Sequence, residues 1–89
     1  MNPETATPEA RLRRLKIRGW RRGTKEMDMI LGPYADALLE GRERADLDAL
    51  EALMDENDQD LYLWVSRARE APAEHEPALA EVRRFHGLA

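Results

Sequence analysis

The residues best equipped for chemistry lie between positions 18 and 28, in the run "RGWRRGTKEMD". Three arginines and a lysine surround Trp20, with Gly19 and Gly23 between them and Glu26 and Asp28 closing the run. Guanidinium groups bind carboxylates and phosphates through paired, charge-assisted hydrogen bonds, and Arg and Trp are typical anchors of protein interfaces. The other candidates carry less. His75 and His86 are the only histidines, there is no cysteine, and neither histidine has a second ligand at zinc spacing. Both are therefore expected in surface or structural roles, His75 in a loop and His86 in the last turn of a helix. The acidic run "DENDQD" (55–60) suggests a calcium loop, but a loop starting at Asp55 has Asp60 where glycine is required and Ser66 where glutamate is required. Acids at a helix N-terminus, favoured by the helix dipole, explain it better. Ser66 and the three threonines have no histidine nearby in sequence, so a nucleophile–base pair has no support. No strand precedes Gly19 and Gly23, which rules out a phosphate loop.

The charge is divided along the chain. Residues 1–25 hold eight basic residues against two acids, whereas residues 26–89 hold six against sixteen. This division is read as a statement about partners rather than about fold. Nucleic-acid binding is possible for the basic end, but the acidic remainder of the chain would repel a polyanion. With 89 residues, 43% hydrophobic and 36% charged, the composition is that of one soluble folded domain. No apolar run approaches the ~18 residues of a membrane span, so no membrane insertion is expected. The first ten residues match neither a signal peptide nor a transit peptide, Glu4 and Glu9 arguing against the latter. A cytoplasmic bacterial protein is the expectation.

The elements that must position these groups are helical. Leu, Ala, Arg and Glu dominate and no alternating strand pattern survives. The fold expected is all-α, a compact bundle of about five short helices over residues 8–87, with residues 1–7 a flexible tail. Thr7 caps the first helix, with Pro8 at its first position, and the helix ends near Gly19. The second starts at Gly23 or Thr24, is kinked or broken at Gly32-Pro33, and stops at Gly41. A third begins near Ala45 or Asp46, a fourth is capped by Asn57 or Asp58, and a fifth follows a loop over 70–77 and ends at Gly87. Ile30, Leu50, Leu53, Leu61 and Trp64 are the expected core.

Arg22-Gly23-Thr24-Lys25-Glu26 forms an RGxxE motif with Asp28 two residues on, and "LEALMDENDQDLYLWV" (50–65) adds a leucine-rich helix, a run of acids, then Asp60-Leu61 and Trp64. In this combination, over residues 10–86, the chain resembles the SdhE-like flavinylation factors, also called succinate dehydrogenase assembly factors. The resemblance implies a small helical protein that is not an enzyme. It would bind the flavoprotein subunit of succinate dehydrogenase and, in some bacteria, that of fumarate reductase. It would promote covalent attachment of FAD to a histidine there, holding no cofactor of its own and being monomeric when free. Arg22, Gly23 and Glu26 would be the docking core, exposed at the surface, with Arg18, Arg21 and Asp28 beside them. Gly23 would turn the chain sharply into the second helix and let the partner approach. Alternatively, Glu26 merely pairs with Arg22 across one helical turn. Thr24 stands where the family often has methionine, and Pro33 lies in a helix that often lacks proline. The alternative function is an antitoxin-like or nucleic-acid-binding small helical regulator, since a relative of the family has been described as an antitoxin.

Overall fold

The computed structural model describes residues 7–88. Five α-helices follow one another: α1 (Pro8–Trp20), α2 (Lys25–Leu39), α3 (Leu47–Met54), α4 (Asp58–Val65) and α5 (Glu76–Phe85), with a single 3-10 turn at Ala73–His75 before the last. No strand occurs among the described residues. The tail expected over residues 1–7 lies, apart from Thr7, outside them.

Each helix begins where a short polar side chain can accept from an otherwise unpaired backbone N–H. Thr7 caps α1, Thr24 caps α2, Asp46 caps α3 and Asn57 caps α4, each accepting from the amide three residues on. Gly41 and Gly87 end α2 and α5 with positive φ. Beyond each, an amide reaches back to a carbonyl of the last turn: Arg42 to Ala37 and Leu88 to Arg83, both at 2.8 Å.

The helices α1 and α2 pack most closely, and the reason is two glycines. A Cβ on Gly19 would stand 2.8 Å from the carbonyl oxygen of Leu31, and one on Gly32 would collide with the Trp20 ring. Trp20 thus lies across Gly32, its indole N–H donating to Asp36 at 3.1 Å. The expected break at Gly32-Pro33 does not occur, and α2 runs through Pro33 without interruption. Proline frees only the carbonyl four residues earlier, that of Met29, which sits on the exposed side of the helix. The first helix likewise continues one residue past Gly19.

Leu50, Leu53, Leu61 and Trp64 are buried, in a core with Leu15, Met27, Leu31, Tyr34, Leu79 and Val82. Ile30 is a correction: it is only partly buried and packs against that core from its edge. Burial pushes the Tyr34 phenol up to about 12, and its ring meets Phe85 edge-on with centroids 5.4 Å apart. His75 does not sit in an exposed loop. It is buried in the 3-10 turn, stacked on Trp64 at 5.7 Å, with Nε2 3.2 Å from the Glu56 carboxylate. His86 donates from Nε2 to the Ile30 carbonyl at 2.7 Å, tying the end of α5 to α2.

Two outcomes follow. Trp64→Ala removes a buried ring that supports both the core and His75, and should cost about 3–5 kcal/mol in urea denaturation, a large share of the ~5–15 kcal/mol typical of a domain. Gly19→Ala would gain about 1 kcal/mol of helix propensity at an unconstrained site. Here it must push apart two backbones, and should lower stability by about 1–3 kcal/mol instead; an increase would show that α1 and α2 are not in this contact.

Candidate functional site

The segment between α1 and α2 is fixed by one guanidinium. Arg22 donates from Nε to Asp58 Oδ1 at 2.7 Å, from Nη1 to the Met54 carbonyl at 2.7 Å and from Nη2 to the Glu56 carbonyl at 2.8 Å. It thereby satisfies the last carbonyl of α3, a carbonyl of the turn that follows, and the first residue of α4 together. The planar five-donor fork of arginine suits this task and the single ammonium of lysine does not. The backbone of the segment is held as well. The Arg22 N–H donates to Asp28 Oδ1 at 2.6 Å, and the Gly23 N–H donates to the second oxygen of Asp58. Arg22 and Asp58 side chains are only 10% and 14% exposed.

This geometry corrects the sequence-based expectation for Arg22, which is not displayed at the surface. Gly23 also has another purpose. Its φ is not positive, and a Cβ there would come 2.8 Å from Asp58 Oδ2, so the glycine makes room for the carboxylate that holds Arg22. The Arg22–Glu26 pair is absent, because Arg22 has taken Asp58. Glu26 is exposed in the first turn of α2 and makes no hydrogen bond or ion pair among the described residues.

The basic end of the chain is largely committed inside the molecule. Arg11 reaches from α1 to Asp48 and Glu51 of α3, holding the Glu51 carboxyl below the usual carboxylate range. Arg18 meets Asp55 at 2.7 Å, and Lys16 lies 3.6 Å from Asp36. Exposed pairs of this kind contribute ~0–1 kcal/mol each, and they bridge α1 to α2, to α3 and to the residue that follows α3. The charge division along the chain is therefore a fold device as well as a surface property. Arg21 and Lys25 are exposed and form no ion pair among the described residues.

Of the six expected docking residues, the structure leaves Glu26 and Arg21 free at the surface, ties Arg18 to Asp55, and uses Arg22, Gly23 and Asp28 to shape the segment. Beside Glu26 an open groove of about 500 Å³ runs between α2 and α4, lined by Thr24, Glu26, Asp58, Gln59, Tyr62 and Leu63. Tyr62 and, further along α2, Met29 are about half exposed. Sequence reasoning missed both, and missed Asp58 as the partner of Arg22. For Asp58 a signal existed, its place in the second signature, but an acid at a helix start was already explained by the dipole. No group of His, Cys, Asp and Glu among the described residues could hold a metal ion, and no helix is long and apolar enough to cross a membrane.

Arg22→Lys should lower stability by at least about 2 kcal/mol, since two or more charge-assisted bonds are lost. Glu26→Gln should stay within about 0.5 kcal/mol of the parent. Urea denaturation of both variants checks this, and an Arg22→Lys protein as stable as the parent would return Arg22 to the surface.

Comparison with known proteins bears on what this arrangement serves. Residues 13–86 match the family model described as flavinator of succinate dehydrogenase. Among curated proteins, the mitochondrial succinate dehydrogenase assembly factor 2 of Schizosaccharomyces pombe is 35% identical over 72 residues, 81% of this chain and 52% of the relative. Its counterpart in Aspergillus terreus is 35% identical over 75 residues, 84% of this chain and 24% of the relative. That of Mycosarcoma maydis is 34% identical over 65 residues, 73% and 27%. The chain thus spans about a quarter to a half of the length of these relatives. No solved structure matches. The cytoplasmic location expected from the sequence is corrected here: the relatives are named as mitochondrial assembly factors. The match covers the RGxxE segment, the Arg22–Asp58 lock and the Trp64 core, and the chain belongs to the flavinator family of succinate dehydrogenase assembly factors.

Proposed function

We propose that the chain binds the flavoprotein subunit of succinate dehydrogenase and promotes covalent attachment of FAD to a histidine of that subunit. It acts as an assembly chaperone rather than an enzyme: it presents a shaped surface, and the chemistry and the FAD belong to the partner. Holding a reacting histidine and flavin in the right geometry is a contribution worth several kcal/mol. The relatives' names mention succinate dehydrogenase alone, which lends no support to a fumarate reductase subunit as a further partner.

The observation that carries the reading is Glu26, an unpaired carboxylate on a segment locked from behind by Arg22, Asp28 and Asp58. An acid so placed loses little conformational entropy on docking and offers a charge-assisted contact to a basic or N–H group of the partner. Tyr62 and the groove floor supply apolar area next to it. The nucleic-acid alternative gains nothing from the structure, because Arg11, Arg18 and Arg22 already bind acids of the same molecule.

Glu26→Gln should keep the fold and lose flavinylation. Leaving a partner group unpaired at an interface costs about 2 kcal/mol or more. The variant is expressed with the flavoprotein subunit in cells lacking the native factor, covalent flavin is read by in-gel fluorescence, and folding is read by circular dichroism. Full flavinylation by the folded variant would refute the role of Glu26.

A further inference from the structure

A second open pocket, of about 660 Å³, lies between the end of α4 and the start of α5. Its wall includes three arginines, Arg67, Arg69 and Arg83, together with Glu70, Glu76 and two alanines. Arg83 is unusual. Its side chain is 6% exposed, Nη1 donates to Glu76 at 2.6 Å and Nη2 to the Trp64 carbonyl at 2.8 Å. Its Nε is the one buried side-chain polar atom among the described residues with no hydrogen-bond partner. A guanidinium with five donors, buried and opposed by one half-exposed carboxylate, has bonding capacity in reserve.

Arg67 supplies a second, independent signal. It follows the last turn of α4, where its amide donates to the Trp64 carbonyl, and it has φ +64°. The two other left-handed positions of the described chain, both also closing helices, are glycines. An L side chain in that conformation is strained, and glycine would adopt it freely. The chain nonetheless places a guanidinium there, on the pocket wall, with no hydrogen bond or ion pair from its side chain among the described residues. Backbone strain of this sort is found preferentially at functional sites, where the surrounding structure holds it in place.

We infer that the Arg67–Arg69–Arg83 pocket binds a small oxyanion, a phosphate or carboxylate group. Arg67 would close over the anion from the rim, Arg83 would contribute remaining N–H donors from the wall, and Arg69, now 3.6 Å from Asp60, would add charge. The site lies on residues separate from the Glu26 surface and does not depend on the function proposed for it.

The test titrates the full chain with inorganic phosphate, and separately with acetate, at constant ionic strength. It follows backbone amide and arginine Nε–H signals by NMR. The expected result is saturable binding of at least one of the two, with shifts centred on residues 67–71 and on the Arg83 side chain; which anion saturates first identifies the ligand class. Arg67→Gly removes the rim guanidinium and the backbone strain together. It should therefore melt at or above the parent temperature while losing at least tenfold in anion affinity, whereas Arg21→Ala should bind as the parent does. Non-saturable shifts, shifts centred on α1, or unchanged affinity in a folded Arg67→Gly protein would overturn the assignment.

Discussion

The guanidinium of Arg22 ties together three parts of the chain that meet over the core. It bonds the last carbonyl of α3 and one in the turn beyond it, neutralises Asp58 at the start of α4, and fixes the segment that leads from α1 into α2. Helices of eight residues are marginal on their own, and α3 and α4 are both that length. Their ends need satisfied backbone groups, and Arg22 satisfies several with one side chain. Gly23 and Asp28 belong to the same device, the first by leaving space for the Asp58 carboxylate and the second by holding the Arg22 amide. The motif is therefore divided in labour. Its arginine and glycine build a rigid support, and its glutamate stands on that support facing outward.

The same economy governs the rest of the charge. A basic α1 and acidic α3 look, in sequence, like a molecule prepared for two different partners. In three dimensions much of that charge is turned inward along the seam between the two helices, where Arg11 and Arg18 meet Asp48, Glu51 and Asp55. Around the motif the surface keeps a smaller set of uncommitted groups: Glu26, Arg21, Lys25 and the half-exposed Tyr62 and Met29. A surface of few free charges and some apolar area suits docking on a folded protein better than following a polyanion backbone.

Much of this was legible from sequence. Thr7, Asp46 and Asn57 declare helix starts because a short acceptor before an apolar pattern has few other uses, and Gly41 and Gly87 declare the stops. The core leucines and Trp64 follow from spacing. Pro33 misled, because the cost of a proline depends on where the freed carbonyl points, and spacing does not say that its counterpart Met29 is on the exposed side. Arg22 misled more instructively. An Arg–Glu spacing of four residues suggests a pair across one helical turn, but Arg22 precedes the helix and a better acceptor set 32–36 residues away captures it. Contacts at that separation leave no local trace in sequence. Arg67 left none either, since nothing in composition marks a left-handed arginine.

The account rests on Arg22 being bound to Asp58 and not to Glu26, and a double-mutant cycle reads this directly. Stabilities of the single and paired alanine variants at positions 22 and 58, and at positions 22 and 26, are compared in urea. The structure requires a coupling above about 1 kcal/mol between Arg22 and Asp58, as for residues in one hydrogen-bond network, and additivity within about 0.5 kcal/mol between Arg22 and Glu26. Additive effects at 22 and 58, or a larger coupling between 22 and 26, would contradict the division of the motif into support and contact.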